Sequence, residues 1–456
     1  MAVIRKRLIF WLIKAYIKKS GKTIFFSFLF GLFVFFAMLF VEKYYSHIIP
    51  FTRTETIGLA GAYTVDSLPI EITNKMSYGL TTIAPDGTIQ PGLASSWDVL
   101  DNGKTYRFHL KQNLHFYDGQ EVNAITVNYN FSDVSQSSPD KFTIVYKLKD
   151  AYAPFLVTVS KPIFDRGFSG VGNYHLQKID TIDNFVQSLT LVATKNGDDI
   201  INYDFYPTEN ALMMAYLLGE VSEIADINNI VQNNINLQKF SNTKITKKSN
   251  YSQLVTLFFN NNDGDLSNKK TRLALTYAVP NNFPEGKSAY LPYSPLSHYY
   301  NGQLDRRTQD LAHAKILLLP DSTSSLSGEI KPPSSLTIKT FKKYRPVAEA
   351  IAAAWKNLGI TTKIEETNSM PNNYQIFLGE FNIPSDPDQY TLWHSDGPNN
   401  ITHYKNLRID KLLEDGRKTI AINKRKQIYA DFQKFLLEDS PAFFLYYPDQ
   451  YTITRK

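Results

Sequence analysis

Serine and histidine side chains are the first candidates for chemistry in this sequence of 456 residues. Ser95 and Ser96 stand in "GLASSW", which lacks the Gly-x-Ser-x-Gly spacing that exposes a nucleophilic serine at a sharp turn. His109 and His115 belong to eight scattered histidines and do not have the spacing of zinc ligands. Carboxylates are numerous, so spacing alone does not exclude a glycosidase pair. No residue set predicts a catalytic or metal site, and we expect a protein that is not an enzyme.

Cofactor motifs give no stronger signal. The stretch "GVGNYH" (170–175) lacks the third glycine and the helix of a dinucleotide fingerprint, and no phosphate-binding loop follows a predicted strand. The sequence contains no cysteine, which excludes disulfides, thiolate metal ligands, a cysteine nucleophile and a lipid-modified N-terminal cysteine. We therefore predict no cofactor.

The net charge of +6 is concentrated at the N terminus. The first 22 residues contain seven Lys and Arg and no acid, and subtracting these seven charges leaves −1 for the rest of the chain. A near-neutral remainder does not predict a nucleic-acid partner. The length and the hydrophobic content of 43% indicate two or three globular domains.

Residues 23–41 form an apolar stretch without a charge. A helix of this length, at ~1.5 Å per residue, crosses a hydrocarbon core ~30 Å thick. The preceding basic residues predict that 1–22 is a cytoplasmic segment and that the chain after residue 41 is extracytoplasmic. We expect a single-pass anchor in the lipid bilayer of the cytoplasmic membrane, followed by a tether at 42–54. A buried helix and a cleaved signal are the alternatives.

The elements after residue 54 follow from turn residues and hydrophobic periodicity. Asn102 and Gly103 suit the tight turn of a hairpin, and the strand after them places Tyr106, Phe108 and Leu110 on one face. Further strands and helices alternate, which predicts parallel strands joined by a crossover helix. The predicted helices include 210–221, 266–279, 310–319 and 344–360, with two more in "RIDKLLEDGRKTI" and "NKRKQIYADFQKFLLEDS", and the predicted strands include 254–260, 335–341, 361–367 and 442–448.

Several of these stretches, in this order, resemble the extracytoplasmic solute-binding proteins of peptide-type ABC importers, the oligopeptide- and dipeptide-binding family. The residues that carry the resemblance are "GLASSWDVLDNGKTYRFHLKQNLHFYDGQEVNA", "GVGNYHL", "LFFNNNDGDLSNKKTRLALTYAV", "SDPDQYTLWHSDGPNNITHYKNLRIDKLLEDG" and "RKQIYADFQKFLLEDSPAFFLYY". The likeness covers roughly residues 55–456, and it depends on the order and spacing of the motifs together.

The resemblance implies an α/β, two-lobe, periplasmic-binding-protein-like fold of mixed sheets and helices, with the ligand enclosed in an interlobe cleft and no bond made or broken. It implies a discontinuous lobe I, a small subdomain shorter than usual in the family, and lobe II. The corresponding residues are 51–75, 170–257 and 440–456 for lobe I, 76–169 for the subdomain and 258–439 for lobe II.

The resemblance places much of the ligand site near residues 378–390. The family pattern there is Gly-Trp, then an acid three residues after that Trp, then Asp-Pro. Asp386 and the following proline match this pattern, whereas Glu380 stands at the Trp position and Ile383 at the acid position. In the family, that acid pairs with the free ammonium of a bound peptide. Ile383 cannot do so, and a buried cation without a partner is costly.

Eight residues are the resulting candidates for ligand contact: Trp393, Glu380, Asn382, Asp386, Asn399, Asn400, Tyr404 and Asn260. Each has a structural alternative. Trp393 suits a hydrophobic core, Glu380 a solvated surface, and Asp386 the turn before a proline. The asparagines and Tyr404 suit turn stabilisation as well as hydrogen bonding to a peptide backbone.

The resemblance predicts a membrane-anchored receptor that captures a peptide or similar solute and delivers it to ABC permease subunits. Two alternatives use the same fold. One is a ligand-binding sensor or adaptor, and the other is a surface protein that transports nothing. An exported hydrolase would require a catalytic set that the sequence does not reveal.

Overall fold

The computed structural model describes residues 6–45, 53–195, 197–232, 235–319 and 332–456. Part of the predicted tether, 46–52, and the first five residues of the predicted cytoplasmic segment lie outside the described residues.

The described residues form ten α-helices. They are α1 (Lys6–Tyr45), α2 (Ile70–Met76), α3 (Phe155–Thr158), α4 (Glu209–Leu218), α5 (Lys269–Ala278), α6 (Leu311–Leu317), α7 (Arg345–Lys356), α8 (Tyr390–Trp393), α9 (Leu407–Lys418) and α10 (Ile422–Asp439).

The same residues form twenty β-strands. They are β1 (Arg53–Ala60), β2 (Thr81–Ile83), β3 (Ile89–Pro91), β4 (Ala94–Leu100), β5 (Thr105–Leu110), β6 (Ser135–Asp140), β7 (Thr143–Lys147), β8 (Tyr174–Ile182), β9 (Phe185–Ala193), β10 (Asp199–Tyr206), β11 (Glu223–Ile227), β12 (Val231–Gln232), β13 (Ile235–Asn236), β14 (Thr243–Ser249), β15 (Gln253–Phe259), β16 (Gly286–Ser288), β17 (Ser335–Phe341), β18 (Thr361–Thr367), β19 (Ile376–Asn382) and β20 (Ala442–Arg455).

Strand β20 joins two halves of a twelve-stranded mixed sheet. Its first part pairs with β15 and β16, and its second part pairs with β11 and β14. Lobe I therefore contains β1, β8 to β11, β14 and the second part of β20, and lobe II contains β15 to β19 and the first part of β20. The chain crosses between the lobes twice, as the family resemblance implies.

The crossing points lie at residues 249–253 and 448–449, which differs from the boundaries expected from sequence. Residues 253–257 and 442–448, assigned to lobe I from the resemblance, pair within the sheet of lobe II. Strand β20 also continues seven residues beyond the predicted end at 448. An apolar strand does not reveal which sheet it joins, because hydrophobic residues bury equally well in either.

Lobe I buries apolar side chains on both faces of its sheet. Helix α4 covers one face with Leu212 and Tyr216, and α2 covers the other with Ile72 and Met76. Helix α4 begins at Thr208, whose hydroxyl accepts a hydrogen bond from the N–H of residue 211, and it ends before a glycine with a left-handed backbone. Because β10 and β11 both pair in parallel with β1 and α4 connects them, the helix returns antiparallel to these strands.

The predicted crossover is present in lobe II. Strands β17 and β18 pair in parallel, and α7 connects them. Helix α7 buries Val347, Ile351 and Trp355 against the sheet, and the indole N–H of Trp355 donates to the carbonyl of Leu275 at 3.0 Å. A helix with one apolar face is suited to covering such a sheet.

The predicted hairpin forms the centre of the small subdomain, a four-stranded sheet in the order β4-β5-β7-β6. Asn102 and Gly103 both have positive φ, at 53° and 91°, which is the conformation that the Asn-Gly turn was expected to supply. Tyr106, Phe108 and Leu110 are buried on one face, at 0%, 0% and 4% exposure. These aromatics pack in the subdomain core, so they serve as scaffold.

Helix α1 contains the predicted apolar span. Residues Lys14–Met38 are long and apolar enough to cross a membrane, and no part of this stretch is buried against the rest of the chain. Ser20, with φ −123°, interrupts the helical geometry near the end of the basic segment, shortly before the apolar stretch begins. A secretory signal near the N terminus can meet the same criteria of length and hydropathy, so this helix is compatible with either an anchor or a signal.

Candidate ligand-binding cleft

A cavity of about 850 Å³ lies where the two lobes and the subdomain meet. Lobe I contributes the carboxyl ends of β1 and β11, lobe II contributes residues 293–294, 296–297, 382–385 and Pro387, and the subdomain contributes 83–85 and Gly87. Ligands of α/β sheets usually bind at the carboxyl ends of strands. The volume falls within the range of roughly 300–1,000 Å³ that is typical of small-molecule sites. We take this cleft as the candidate functional site.

We call the two segments that cross between the lobes, 249–253 and 448–449, the hinge. Residues 249–253 and Gln450 line the floor of the cleft. The N–H of Asn250 donates to the carbonyl of Pro448 at 2.8 Å, which joins the two crossing connections. Asp449 is 7% exposed and accepts from Ser249 Oγ at 3.1 Å and from Lys247 Nζ at 2.7 Å. The hydrogen bond to Asp449 raises the pKa of Lys247. These bonds hold the two crossing segments side by side while leaving the lobes on either side separate.

The lobe I wall of the cleft is acidic. Glu71, Glu209 and Asp226 line it, and Lys248 Nζ lies 2.6 Å from the Asp226 carboxylate. Glu209 accepts hydrogen bonds from the backbone and side-chain nitrogens of Asn228, at 3.0 and 2.7 Å. Glu71 is exposed and has no hydrogen-bond or ion-pair partner among the described residues.

The phenol of a tyrosine beside this wall has a raised pKa. Tyr63 lines the cavity, and burial raises the pKa of its phenol, with smaller contributions from the Glu71 and Asp226 carboxylates. The phenol therefore stays protonated at neutral pH and can donate a hydrogen bond to a ligand. The wall combines a hydrogen-bond donor with carboxylates that can accept a cationic group.

The lobe II wall contains two of the residues singled out from sequence. Asn382 and Ile383 both line the cavity, and the N–H of Ile383 donates to the Ser252 carbonyl in the hinge at 2.8 Å. Glu380 lies beside this wall, where it accepts from Lys343 Nζ at 2.7 Å and from the hydroxyl of Tyr344. The carboxylate at the family's Trp position is therefore already paired, and Lys343 is the charged residue of lobe II that lines the cavity.

Asp386 is engaged in a buried ion pair. Its two carboxylate oxygens accept from the two terminal nitrogens of Arg425 at 2.6 and 2.9 Å, and both side chains are at most 10% exposed. The remaining donors of Arg425 bond the Gly416 carbonyl at 2.8 Å and the Tyr299 hydroxyl at 3.4 Å. The pair ties α10 to the segment after β19. Asp386 does not line the main cleft, although it borders a neighbouring cavity below the subdomain.

Trp393 lies in the core of lobe II. It is 1% exposed, its indole N–H donates to Gln389 Oε1 at 2.8 Å, and its ring packs edge-on against Phe444 with centroids 6.1 Å apart. These contacts favour the core alternative over a place in the cleft.

The four remaining candidates make local hydrogen bonds away from the cleft. Asn399 donates through its backbone to the Thr391 carbonyl at 2.9 Å, and the Asn400 amide bonds the carbonyls of His394 and Tyr404. The Tyr404 hydroxyl donates to Asp439 at 2.5 Å, and the Asn260 amide donates to the Tyr374 carbonyl at 2.8 Å. The structure brings only Asn382 of the eight predicted residues to the cleft wall, and the ligand roles of the others stay predictions.

The Asp439 cluster predicts a pH effect on stability. Burial acts to raise the pKa of Asp439, but hydrogen bonds from Lys269, Tyr404 and Asn406 lower it below its ordinary value of 3.8. A depressed carboxyl pKa stabilises the fold above the unfolded-state value, and this contribution disappears as pH falls through the folded-state value. We expect Asp439→Asn to be less stable than wild type at pH 7, with the difference closing below pH 3.8.

Urea titrations of both proteins between pH 7 and pH 3 check this effect. Asp66→Asn serves as the control, because Asp66 is exposed and forms no ion pair within the described part of the chain, and no pH-dependent difference is expected. A constant gap between wild type and Asp439→Asn across the range would show that hydrogen-bond geometry, rather than charge, provides the stability.

Most of the cleft residues were not predicted from sequence. Tyr63, Glu71, Asp226 and Lys248 come from segments separated by more than 150 residues, and each is unremarkable in its local sequence. A partial signal was available, because the cavity residues Leu59 and Ala60 end a strand that was predicted.

The comparisons with known proteins define the class. Residues 88–403 match the family model of bacterial extracellular solute-binding proteins, family 5 middle. The match covers more than half of the chain, so the protein belongs to this family of bacterial extracellular solute-binding proteins. The predicted family resemblance and the two-lobe fold are confirmed.

Individual relatives have low sequence identity to this chain, but each match extends over most of the length of both proteins. The chain is 24% identical to the oligopeptide-binding protein AppA of Bacillus subtilis over 85% of this chain and 84% of the relative. The structure of that protein in complex with a nonapeptide superposes with a TM-score of 0.65 at 21% identity, covering 89% of this chain and 95% of the other. The ABC transporter substrate-binding protein CtaP of Listeria monocytogenes gives a TM-score of 0.71 at 22% identity, covering 88% and 94%.

Proposed function

We propose that this protein is a membrane-anchored, extracytoplasmic substrate-binding protein of an ABC importer, which captures a peptide or similar solute between its two lobes. The observation that carries the proposal is the cleft itself, which lies over the hinge and is lined from both lobes. The relative named as oligopeptide-binding, and the related fold holding a nonapeptide, support a peptide as the ligand class.

Closure of the cleft is the step that couples binding to delivery. A ligand shifts a hinge equilibrium only by its difference in affinity for the open and closed states. Groups on both walls are available for this purpose, because Glu71 and Tyr63 stand on lobe I and Lys343 and Asn382 stand on lobe II. A solute that contacts both sets favours the closed state, and the energy for transport comes from the ATP-hydrolysing subunits of the importer.

Recognition of a positive charge is assigned to lobe I. Ile383 replaces the family's acid on lobe II, and Glu380 is held by Lys343 and Tyr344. Glu71 is the lobe I carboxylate in the cleft that has no partner among the described residues. We therefore expect the ammonium or another cationic group of the solute to bind at Glu71.

Replacing Glu71 by Gln is expected to weaken binding of a cationic solute by roughly tenfold, since a hydrogen bond to a charged group contributes about 1.5–3 kcal/mol and Gln retains part of it. Titration calorimetry with the solute that co-purifies measures the loss. Glu349→Gln, on the exposed face of α7, is the matched control and should bind as wild type. Equal affinity of Glu71→Gln and wild type would exclude this carboxylate as the cation site.

Mass spectrometry of the purified protein tests the peptide assignment. The mass of the protein under native conditions should exceed its mass under denaturing conditions by that of a retained ligand. The released ligand should fragment as a peptide or a chemically related solute. If no ligand is retained and peptide libraries produce no thermal shift, the peptide proposal fails. Catalytic turnover of any solute by the pure protein would also contradict it.

Retention of α1 as an anchor is a separate part of the proposal. The uncharged stretch exceeds a usual signal-peptide apolar segment, and the basic residues before it favour a cytoplasmic N terminus. Alkaline extraction of membranes should leave the full-length chain in the pellet, and peptides from residues 14–38 should be recovered from it. A soluble chain that begins after residue 41 would instead identify α1 as a cleaved signal.

A further inference from the structure

The direction of β1 determines which end of lobe I is nearest the anchor. Arg53 begins β1, and Leu59 and Ala60 end it in the wall of the cleft. At ~3.3 Å per residue, the strand separates these two ends by roughly 23 Å. The chain therefore enters lobe I at the end opposite the cleft. We call this end the entry pole, defined by Arg53 and the segments 194–195, 197–199, 218–222, 239–244 and 455–456.

Sheet pairing and hydrogen bonds bring these segments together. Arg53 pairs with Asp199, and Lys456 donates through its backbone N–H to the Asn242 carbonyl at 2.9 Å. Ser222 donates to Thr56 near the same end of β1, which places the turn after α4 there. The entry pole is thus assembled from separate stretches of lobe I that meet at one end of its sheet.

The short connection to α1 limits how the body can be oriented. Eight residue steps join Tyr45 at the end of α1 to Arg53, so the connection reaches at most about 28 Å. Lobe II extends from the cleft end of lobe I and contains about 200 residues, which corresponds to a body roughly 40 Å across. A connection of this length cannot pass around lobe II, so the orientation with lobe II against the membrane is excluded.

The side chains of the entry pole suit a bilayer surface. Six basic residues stand there, against Asp198, Asp199 and Glu220 in the pole and Glu55 beside it, which pairs with Arg53 at 2.6 Å. The basic residues are Arg53, Lys195, Lys239, Lys244, Arg455 and Lys456. Two apolar side chains project among them, Leu218 at 72% exposure and Phe240 at 42%. Basic residues with exposed apolar side chains are the combination that binds anionic headgroups and inserts at their level.

We propose that the entry pole rests on the outer surface of the bilayer and contacts anionic lipid headgroups, so that the cleft is held away from the membrane until a permease is engaged. This inference rests on the anchor assigned under the proposed function. The occupant of the pole is lipid, because the span, the connection and the basic side chains converge on the same side of the body.

Energy transfer from single labels to lipid headgroups tests the orientation. The native sequence has no cysteine, so Lys244→Cys at the entry pole and Lys411→Cys on lobe II each give one labelled site in the full-length chain. The chain is reconstituted in phosphatidylglycerol-containing vesicles with acceptor-labelled headgroups. We expect strong transfer from residue 244 and little from residue 411. Equal transfer from both, or more from 411, would overturn the proposal.

The lipid charge is tested with the label at Asn242→Cys. Transfer should fall in vesicles of phosphatidylcholine alone, and Lys239→Glu with Lys244→Glu should reduce the contacting population by roughly fivefold for each lysine. Unchanged transfer in both cases would show that lipid does not hold the pole. Alkaline extraction of the same samples separates the two proposals. Loss of the chain from the vesicles would contradict membrane anchoring by α1. A chain that stays in the vesicles but shows the wrong transfer pattern would contradict only the contact between the entry pole and lipid.

Discussion

Replacing Asp386 by alanine is expected to lower the free energy of unfolding by about 3–5 kcal/mol, because removal of one partner leaves a buried charge without compensation. The Asp386 carboxylate is bound by two nitrogens of Arg425, and the Arg425 side chain is 6% exposed. Chemical denaturation of the full chain in detergent measures the change. The loss should be seen without ligand, which separates this structural role from the ligand-contact role predicted from sequence.

Lys411→Ala is the matched control for the ion pair. Its partner Asp415 lies one helical turn away on α9, and both side chains are exposed, so we expect little change in stability. A similar small effect for Asp386→Ala would contradict the buried-pair account. If Asp386→Ala unfolded normally but lost affinity for the solute, its place would be in the binding site instead.

Replacing Trp393 by alanine is expected to cost about 3–5 kcal/mol of stability, since it removes a large side chain from a packed core. Trp393 is 1% exposed, and its loss also leaves Gln389 without the indole donor at 2.8 Å. The measurement is again chemical denaturation, accompanied by solute affinity at low denaturant. We expect lower stability and an affinity close to wild type for the folded fraction.

Trp97→Ala provides the comparison for Trp393. Trp97 is half-buried in the small subdomain, with its ring centroid 6.5 Å from that of Phe108, so its removal creates a smaller cavity. A smaller loss of stability is therefore expected. Wild-type stability for Trp393→Ala together with reduced solute affinity would restore Trp393 to the cleft and contradict the core assignment.

Local sequence patterns predicted many of the elements because each depends on neighbouring residues. The Asn102-Gly103 turn, the face shared by Tyr106 and Phe108, and the β17–α7–β18 crossover are all present. Turn chemistry and hydrophobic period act over a few residues, so the sequence displays them directly. The order of the motifs along the chain also predicted the family, and the match of residues 88–403 to the family model confirms that prediction.

The cleft could not be predicted in the same way because topology assembles it. Glu71 follows β1 by eleven residues, whereas Lys343 and Asn382 come from lobe II, and only the folded chain places all three on one cavity. The partner of Asp386 is equally hidden, since Arg425 lies 39 residues later on another helix. Without that partner in view, a carboxylate before proline resembles a ligand group as much as a structural one.

The lobe boundaries show a further limit of sequence. Strands β15 and β20 are apolar over their first parts, which predicts burial without naming the sheet. Both pair in lobe II: β15 follows the crossing at 249–253, and the first part of β20 precedes the crossing at 448–449. The hydrophobic pattern therefore predicts that a strand is buried, but its pairing partners determine which sheet, and so which lobe, it belongs to.

The distance between spin labels on the two lobes tests the central claim most directly. Lys178→Cys on β8 of lobe I and Lys411→Cys on α9 of lobe II are exposed sites in a chain with no native cysteine, so a doubly labelled full-length protein reports the interlobe distance. The account predicts that the retained solute, when added back to stripped protein, shifts the distribution toward a single shorter distance. An unchanged distribution at solute concentrations that raise the melting temperature would contradict capture between closing lobes.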